Sequence, residues 1–378
     1  MRVAVFDYKA IPNNPIGGCH WRMLRGLCNE YDFTVFAAEF DNPCPERIRY
    51  VHVPAIKRPL ALLFVTFHML APIWYLAYRL RHRVRFDRLQ MVESNLWFGD
   101  TSYCHFCHRS FLRNYRQQIG TWKLRSLGRL LDHWLHSLTE PRVFRKVKRI
   151  VVPSLGLAAE LKREYPFAAD KIVVLPNPVE LERMRVPTDF DRTAFRSSQG
   201  WGADDVVLVF VALGHFERKG LPQVLDAMVS LKTPRLKFYV VGGEPGLTLA
   251  YEHKCRELGL SEQVKFVGMQ KDVRPFLWGA DAFVLPSYYE TFSLGTFEAA
   301  AAGLPVLVSR LYGVEEFLID GQNGYLIDTT VEGVRAGLQR LLASSVQERS
   351  NVGAKAASSV RAYGLDAFLN GWKKLYAA

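Results

Sequence analysis

Short strand-like stretches, most of them largely apolar, punctuate the chain at 2–6, 33–37, 48–53, 86–92, 101–105, 150–153, 172–175, 206–212, 238–243, 264–268, 281–285 and 306–308. Runs of this length bounded by turn residues read as buried strands. Helix-like segments alternate with them: 19–28, the stretch after Gly220, the stretch from about Ser293, the one from about Val331, and a last one after Tyr363 that ends at 376. The alternation predicts an α/β chain. The segment 284–309 shows the pattern most clearly. An apolar run breaks at Pro286, a loop carries Glu290, four alanines follow Glu298, and Gly303, Leu304 and Pro305 stop the helix before the next strand. A strand, a loop and a helix N-terminus form the geometry in which open α/β sheets hold anions. The amides around 292–295 can meet a phosphate there, and Glu290 and Glu298 suit two separate hydroxyl groups of a sugar-containing ligand.

A second such turn follows 206–212. Arg218 and Lys219 stand beside Gly220 at the strand-to-helix junction, where adjacent cations can neutralise a diphosphate. A third follows the first strand, where Gly17 and Gly18 open the helix 19–28. Their free amides can carry phosphate, but the spacing is not that of a dinucleotide-binding fingerprint.

One segment fits none of these patterns. Residues 59–78 contain no Asp, Glu, Lys or Arg, and the flanks on both sides are basic. The length barely reaches that of a membrane span. The strands before and after it are expected in one sheet, so the reading is a surface helix or helical pair dipping into one leaflet, with Phe64, Phe67, Trp74 and Tyr75 as the inserted residues.

At 378 residues the chain is long enough for two domains. Lys and Arg outnumber Asp and Glu by 29 to 17 over residues 1–189 and stand at 20 to 20 over the rest, so the whole net charge of +12 sits in the first half. Eleven of these cations fall in 109–149, interleaved with Trp122 and Trp134. That concentration points to an anionic membrane surface or a diphosphate-linked acceptor. No nucleic-acid-binding signature accompanies it. The six cysteines are too scattered for a disulfide scaffold, and the first residues read as a strand rather than a secretory leader. A cytoplasmic protein held at the inner face of the cell membrane is therefore expected. Cys104, His105, Phe106, Cys107 and His108 spell a haem-attachment pattern, which export would be needed to use. His105 is placed at a strand end and His108 three residues into the following helix.

The pair Glu290 and Glu298, flanked by Pro286, Ser287 and by the Glu298–Val306 run, resembles the signature of family 4 of the retaining nucleotide-sugar glycosyltransferases. Gly313-Val-Glu-Glu, Asp320-Gly-Gln-Asn-Gly and Tyr325-Leu-Ile downstream agree with it. The resemblance implies a GT-B fold: two Rossmann-like domains facing across a cleft, with a C-terminal helix crossing back to the first. The boundaries expected are 1–185 joined by about 363–378, a linker at 186–204, and 205–362 for the nucleotide-sugar domain. It further implies transfer of a hexosyl or related sugar from a nucleoside diphosphate sugar to a hydroxyl, with anomeric configuration kept and no metal. His105, Arg218, Lys219 and Glu290 would serve catalysis. Gly17, Gly18, Gly214, Arg218, Lys219, Phe292, Ser293, Leu294 and Glu298 would hold the donor. Gly214 occupies the family's usual Arg position, so Arg218 must supply the guanidinium. Pro178 and Glu180 replace the usual Gly and Asp of the interdomain motif. The first domain would receive a lipid-linked or membrane-associated glycan. The rival readings are a nucleotide-sugar epimerase of the same fold and a non-catalytic, membrane-associated sugar-nucleotide-binding protein.

Overall fold

A computed structural model of the chain describes residues 1–115 and 124–378. The expected basic run loses Arg116, Trp122 and Lys123 from description, since they lie outside those residues, as does the side chain of Arg125. The chain forms two compact units, Met1–Pro178 with Leu365–Ala378, and Val179–Gly364.

In the first unit the elements run β1 (Arg2–Ala10), α1 (Gly17–Leu27), β2 (Asp32–Phe40), β3 (Arg49–His52), α2 (Leu60–His82), β4 (Arg88–Val92), β5 (Thr101–Tyr103), α3 (His108–Asn114), α4 (Leu124–Lys146), β6 (Arg149–Val152), α5 (Leu155–Glu164) and β7 (Ile172–Val174). The seven strands form one sheet in the order β3-β2-β1-β4-β5-β6-β7, parallel throughout. Parallel strands covered by helices on both faces need apolar residues at every position. Val3, Ala4, Val5 and Phe6 of β1 are accordingly all fully buried. The order changes direction between β1 and β4, the place at which open α/β sheets take ligands beyond the carboxyl ends of their strands.

The last helix, α14 (Leu365–Ala377), belongs to this first unit, as the resemblance implied. Phe368, Trp372 and Tyr376 join Met23, Leu24 and Leu27 of α1 in one core cluster. Gly26 lets the helices meet, because a Cβ there would stand 2.5 Å from the Leu369 side chain. Tyr376 then donates to Gln90 Oε1 at 2.7 Å, tying α14 to β4.

The second unit contains α6 (Leu181–Met184), α7 (Arg192–Ser198), β8 (Val206–Val211), α8 (Leu221–Leu231), β9 (Leu236–Val241), α9 (Pro245–Glu257), β10 (Val264–Gly268), α10 (Arg274–Gly279), β11 (Ala282–Leu285), α11 (Leu294–Ala301), β12 (Val306–Val308), β13 (Tyr325–Leu326), α12 (Val331–Ala343) and α13 (Val346–Ser359). Its six strands are parallel in the order β10-β9-β8-β11-β12-β13. Here the direction changes between β8 and β11. The stretch 186–204, expected as a linker, lies inside this unit and carries α7. Asp191 caps that helix by accepting from Ala194 N at 2.8 Å, and Arg192 and Arg196 each reach Asp281 at 2.9 Å. Buried Arg196 takes an inward-facing position, which interrupts the apolar period there.

The uncharged segment forms a single helix, α2, continuous through Pro72. It is long and apolar enough to cross a membrane, although only 22% of its most apolar window is buried. It packs on β1, β2 and α4. Three of the four aromatics expected to insert are core residues instead: Phe64, Phe67 and Tyr75 are 4%, 0% and 8% exposed, and only Trp74 faces out. Phe67 meets Tyr8 edge-on, and Tyr75 packs on Phe6 and Phe36. The exposed side of α2 is aliphatic, with Met69, Ile73, Leu76 and Leu80, and α4 adds Leu131, Trp134 and Leu138.

Gly17 has an ordinary φ, but a Cβ there would lie 1.8 Å from the Lys9 carbonyl oxygen, so α1 can start beside β1 only as glycine. Gly17→Ala is expected to cost about 2 kcal/mol or more in urea unfolding. Gly214→Ala, with nothing within 4 Å of its Cβ, should leave stability unchanged in the same assay.

Candidate functional site

In the second unit the two loops flanking the change of strand direction are bound to each other. Gly220 sits at φ +77, in the left-handed region, and a Cβ there would lie 2.3 Å from Pro286 O. With glycine at the start of α8, the turn after β8 lies directly against the turn after β11. Tyr288 N donates to Arg218 O at 2.9 Å, and Ser287 Oγ donates to the same oxygen at 3.2 Å. The side chains converge on that contact. Lys219 Nζ donates to Glu290 Oε1 at 2.6 Å, Arg218 Nη1 stands 3.5 Å from the same oxygen, and Ser287 Oγ reaches it at 3.4 Å. Arg218 Nη1 also donates to Tyr289 O.

All three charged side chains are largely buried, with 18%, 18% and 15% of Arg218, Lys219 and Glu290 exposed. Burial alone would push the Glu290 carboxyl up. Lys219, then Arg218, more than offset it and hold the group below its ordinary value, so it is ionised at neutral pH. Sequence placed these three residues in one site, and the structure brings them into contact. Gly214 lies earlier in the same turn, half-buried and with open space around it, so the guanidinium near Glu290 is that of Arg218.

Helix α11 begins just beyond. Phe292 is buried and stacks on Phe297 at 4.3 Å, and the Ser293 hydroxyl pairs with Thr296 Oγ1 at 2.8 Å instead of capping the helix. Their side chains, with that of partly buried Leu294, therefore build the core, and what this corner can offer a ligand is backbone N–H and the positive end of the helix. Glu298 is half-buried on α11 between buried Phe297 and Ala299.

The first unit gathers a second set at the ends of β1, β4 and β5. Gly17 and Gly18 differ from expectation. Their amides donate to Asn14, Gly17 N to Oδ1 at 2.7 Å and Gly18 N to the carbonyl at 2.7 Å. Gly17 packs closely on β1 and Gly18 on the Pro12 carbonyl of the loop, and both amides are spent within that loop. His105 lies two residues beyond β5 and is 4% exposed. Its backbone N–H donates to Glu93 Oε1 at 3.1 Å and its Nε2 lies 3.2 Å from Asn177 Oδ1. Burial, and next the nearby His20, push its imidazole down to about 3, so it is neutral at pH 7.

His108 is the first residue of α3, not three residues inside it. It stacks on His136 at 4.2 Å and meets His133 Nδ1 at 3.0 Å. Glu140 fixes this helix start, accepting from His108 N at 2.8 Å and from Arg109 N at 3.3 Å. Cys104 and Cys107 are both fully buried, and burial pushes both thiols up, so neither offers a thiolate.

Glu93 and Asn177 escaped the sequence reading. An isolated acid after an apolar strand was the available signal for Glu93, and it is weak. Glu93 sits at φ +51, is 7% exposed, and is pushed up to about 8 by burial and then by Glu140. It is a neutral carboxylic acid that holds the backbone carrying His105.

With both sites described, the family is clear. Residues 21–183 match the model of Glycosyltransferase Family 4, and residues 191–359 match that of Glycosyl transferases group 1. The chain therefore belongs among the GT-B glycosyltransferases related to these two families. It is 30% identical over 253 residues to D-inositol 3-phosphate glycosyltransferase of Streptomyces scabiei, a match covering 63% of this chain and 56% of that protein. This chain spans about half the length of the first curated relatives it matches. An uncharacterized glycosyltransferase of Methanocaldococcus jannaschii is 24% identical over 90% of this chain and 89% of its own. In fold the chain is similar to WaaG, a glycosyltransferase involved in lipopolysaccharide biosynthesis, with a TM-score of 0.79 and 20% identity over the whole of both chains.

The Glu93 environment yields a pH prediction. An acid raised from its ordinary 4.5 to about 8 in the folded state binds more protons folded than unfolded between those values. Its stabilising contribution is complete below 4.5 and is lost as pH rises through 8. Glu93→Gln should remove a loss on the order of a few kcal/mol over that window. Thermal midpoints at pH 5 and pH 8 should therefore lie closer together in the variant than in the wild type.

Proposed function

We propose that the chain is a retaining glycosyltransferase that moves a sugar from a nucleoside diphosphate sugar to a hydroxyl of a lipid-linked or membrane-associated glycan. The observation that carries the reading is the basic pair Arg218 and Lys219 held against Glu290 where the second sheet changes direction, the position at which open α/β sheets take nucleotides. On this reading the diphosphate lies between Lys219, Arg218 and the N-terminus of α11, and these groups stabilise the charge that grows on it as it leaves. Glu290 commits one carboxylate oxygen to the basic pair and turns the other to hydroxyls of the transferred sugar. Glu298 takes the ribose hydroxyls, and His105 orients the sugar. A leaving diphosphate needs no acid catalyst, so the two glutamates do not act as a glycosidase pair. Arg218 and Lys219 do the work a metal would do.

The acceptor side rests on the first unit. Its surplus of positive charge, together with the aliphatic faces of α2 and α4, supports a peripheral protein lying on the cytoplasmic leaflet. Cations near anionic headgroups add about 1 kcal/mol each, and apolar side chains sink into the interface.

Two experiments test this. Glu298→Ala and Lys219→Ala should each lower transfer from a radiolabelled donor to a membrane-extract acceptor by at least about tenfold. Near-wild-type rates for both would refute the site, and donor turnover without acceptor would favour an epimerase. In vesicle sedimentation the wild type should bind anionic lipid strongly and neutral lipid weakly. The double variant Ile73→Asp with Trp134→Ser should release it while nucleotide binding stays intact. No binding to either vesicle would point to a soluble acceptor.

A further inference from the structure

Asn177 stands just beyond β7, two strands from β5 in the sheet, and is 6% exposed. Its Oδ1 accepts from the Tyr103 hydroxyl at 2.7 Å and lies 3.2 Å from His105 Nε2. The Tyr103 ring packs at 4.1 Å from the imidazole and is itself fully buried, so the group has little freedom to rearrange. On its backbone side His105 is held by Glu93. The remaining ring nitrogen, Nδ1, is buried and makes no hydrogen bond of ordinary geometry, although the Tyr103 backbone lies close enough to act on the ring.

A carbonyl oxygen has two lone pairs, and here two donors fill them only if the imidazole carries its proton on Nε2. Nδ1 is then a bare lone pair. A buried polar atom left unsatisfied is destabilising, a cost that a ligand hydroxyl would remove. We infer that Asn177 is the positioning residue for His105, holding the imidazole in the Nε2–H form so that Nδ1 accepts a hydrogen bond from a ligand hydroxyl. Only the identity of that hydroxyl rests on the glycosyl-transfer reading. Because burial keeps His105 neutral down to about pH 3, the acceptor persists through the physiological range.

The alternative is an inverted amide. Asn177 Nδ2 would then donate to Nε2, and the proton would sit on Nδ1. Long-range proton–nitrogen correlation spectra of the full chain, with ¹⁵N in the histidine rings and His105 assigned by its loss in His105→Gln, separate the two forms. The expected wild-type pattern is a protonated ε2 and an unprotonated δ1 nitrogen. Asn177→Leu should shift His105 toward the δ1–H form. Asn177→Asp should raise its titration midpoint, because a carboxylate at that distance favours the imidazolium. A wild-type proton on Nδ1, or an Asn177→Asp midpoint that does not rise, would overturn the inference, and these two readings decide the matter even if Asn177→Leu fails to fold. In transfer assays Asn177→Leu should lower kcat about tenfold and leave the donor KM unchanged; an unchanged kcat would also overturn it. The expected spectra in a chain that transfers no sugar would establish the Asn177–His105 coupling and refute the glycosyl-transfer reading.

Discussion

The ion pair between Lys219 and Glu290 is the contact on which the second unit's site depends. It joins the two turns on either side of the change in strand direction, and neither charge has enough water around it to stand alone. Removing one partner from such a pair leaves the other buried and uncompensated, which is the expensive way to break it. The pair can form because Gly220 has no Cβ to strike Pro286 and because Ser287 and Tyr288 bind the Arg218 carbonyl. One backbone constraint thus sets the spacing of three charged side chains. The carboxylate keeps the two cations oriented and offsets one of their two charges, so an anion would meet donors already in place.

The first unit achieves the reverse condition at its own change of direction. Desolvation keeps two of its buried groups uncharged: Glu93 is protonated and His105 is neutral. Neutral donors and acceptors suit hydroxyl groups better than phosphates, and the amides of Gly17 and Gly18 are already taken by Asn14. The groups at the two changes of direction thus differ, with an ion-paired cluster at Glu290 and uncharged Glu93 and His105 beyond β4 and β5.

Much of this was legible in the sequence because parallel strands covered on both faces leave continuous apolar runs. Glu290, Arg218 and Lys219 were visible because each sits in a strand-to-helix turn with its own punctuation, and Glu298 because it opens the alanine run inside the helix that follows. Other features were hidden for physical reasons. The uncharged segment of α2 has no Asp, Glu, Lys or Arg to mark its outer face, so nothing distinguished buried Phe64 and Phe67 from exposed Met69 and Ile73. In α7 an inward-facing position is held by Arg196, bound to Asp281, which erased the period that would have revealed a helix. Asn177 gains its meaning only from the strand order, which puts it beside a histidine 72 residues earlier.

The central claim is that the β8 and β11 turns of the second unit form a nucleotide-sugar site. Hydrogen exchange of the full chain with and without a panel of nucleoside diphosphates tests it most directly. The account predicts that at least one of them slows exchange in 212–221 and 286–298, and that Lys219→Ala abolishes the protection. Protection confined to other segments, or none with any nucleotide, would contradict it.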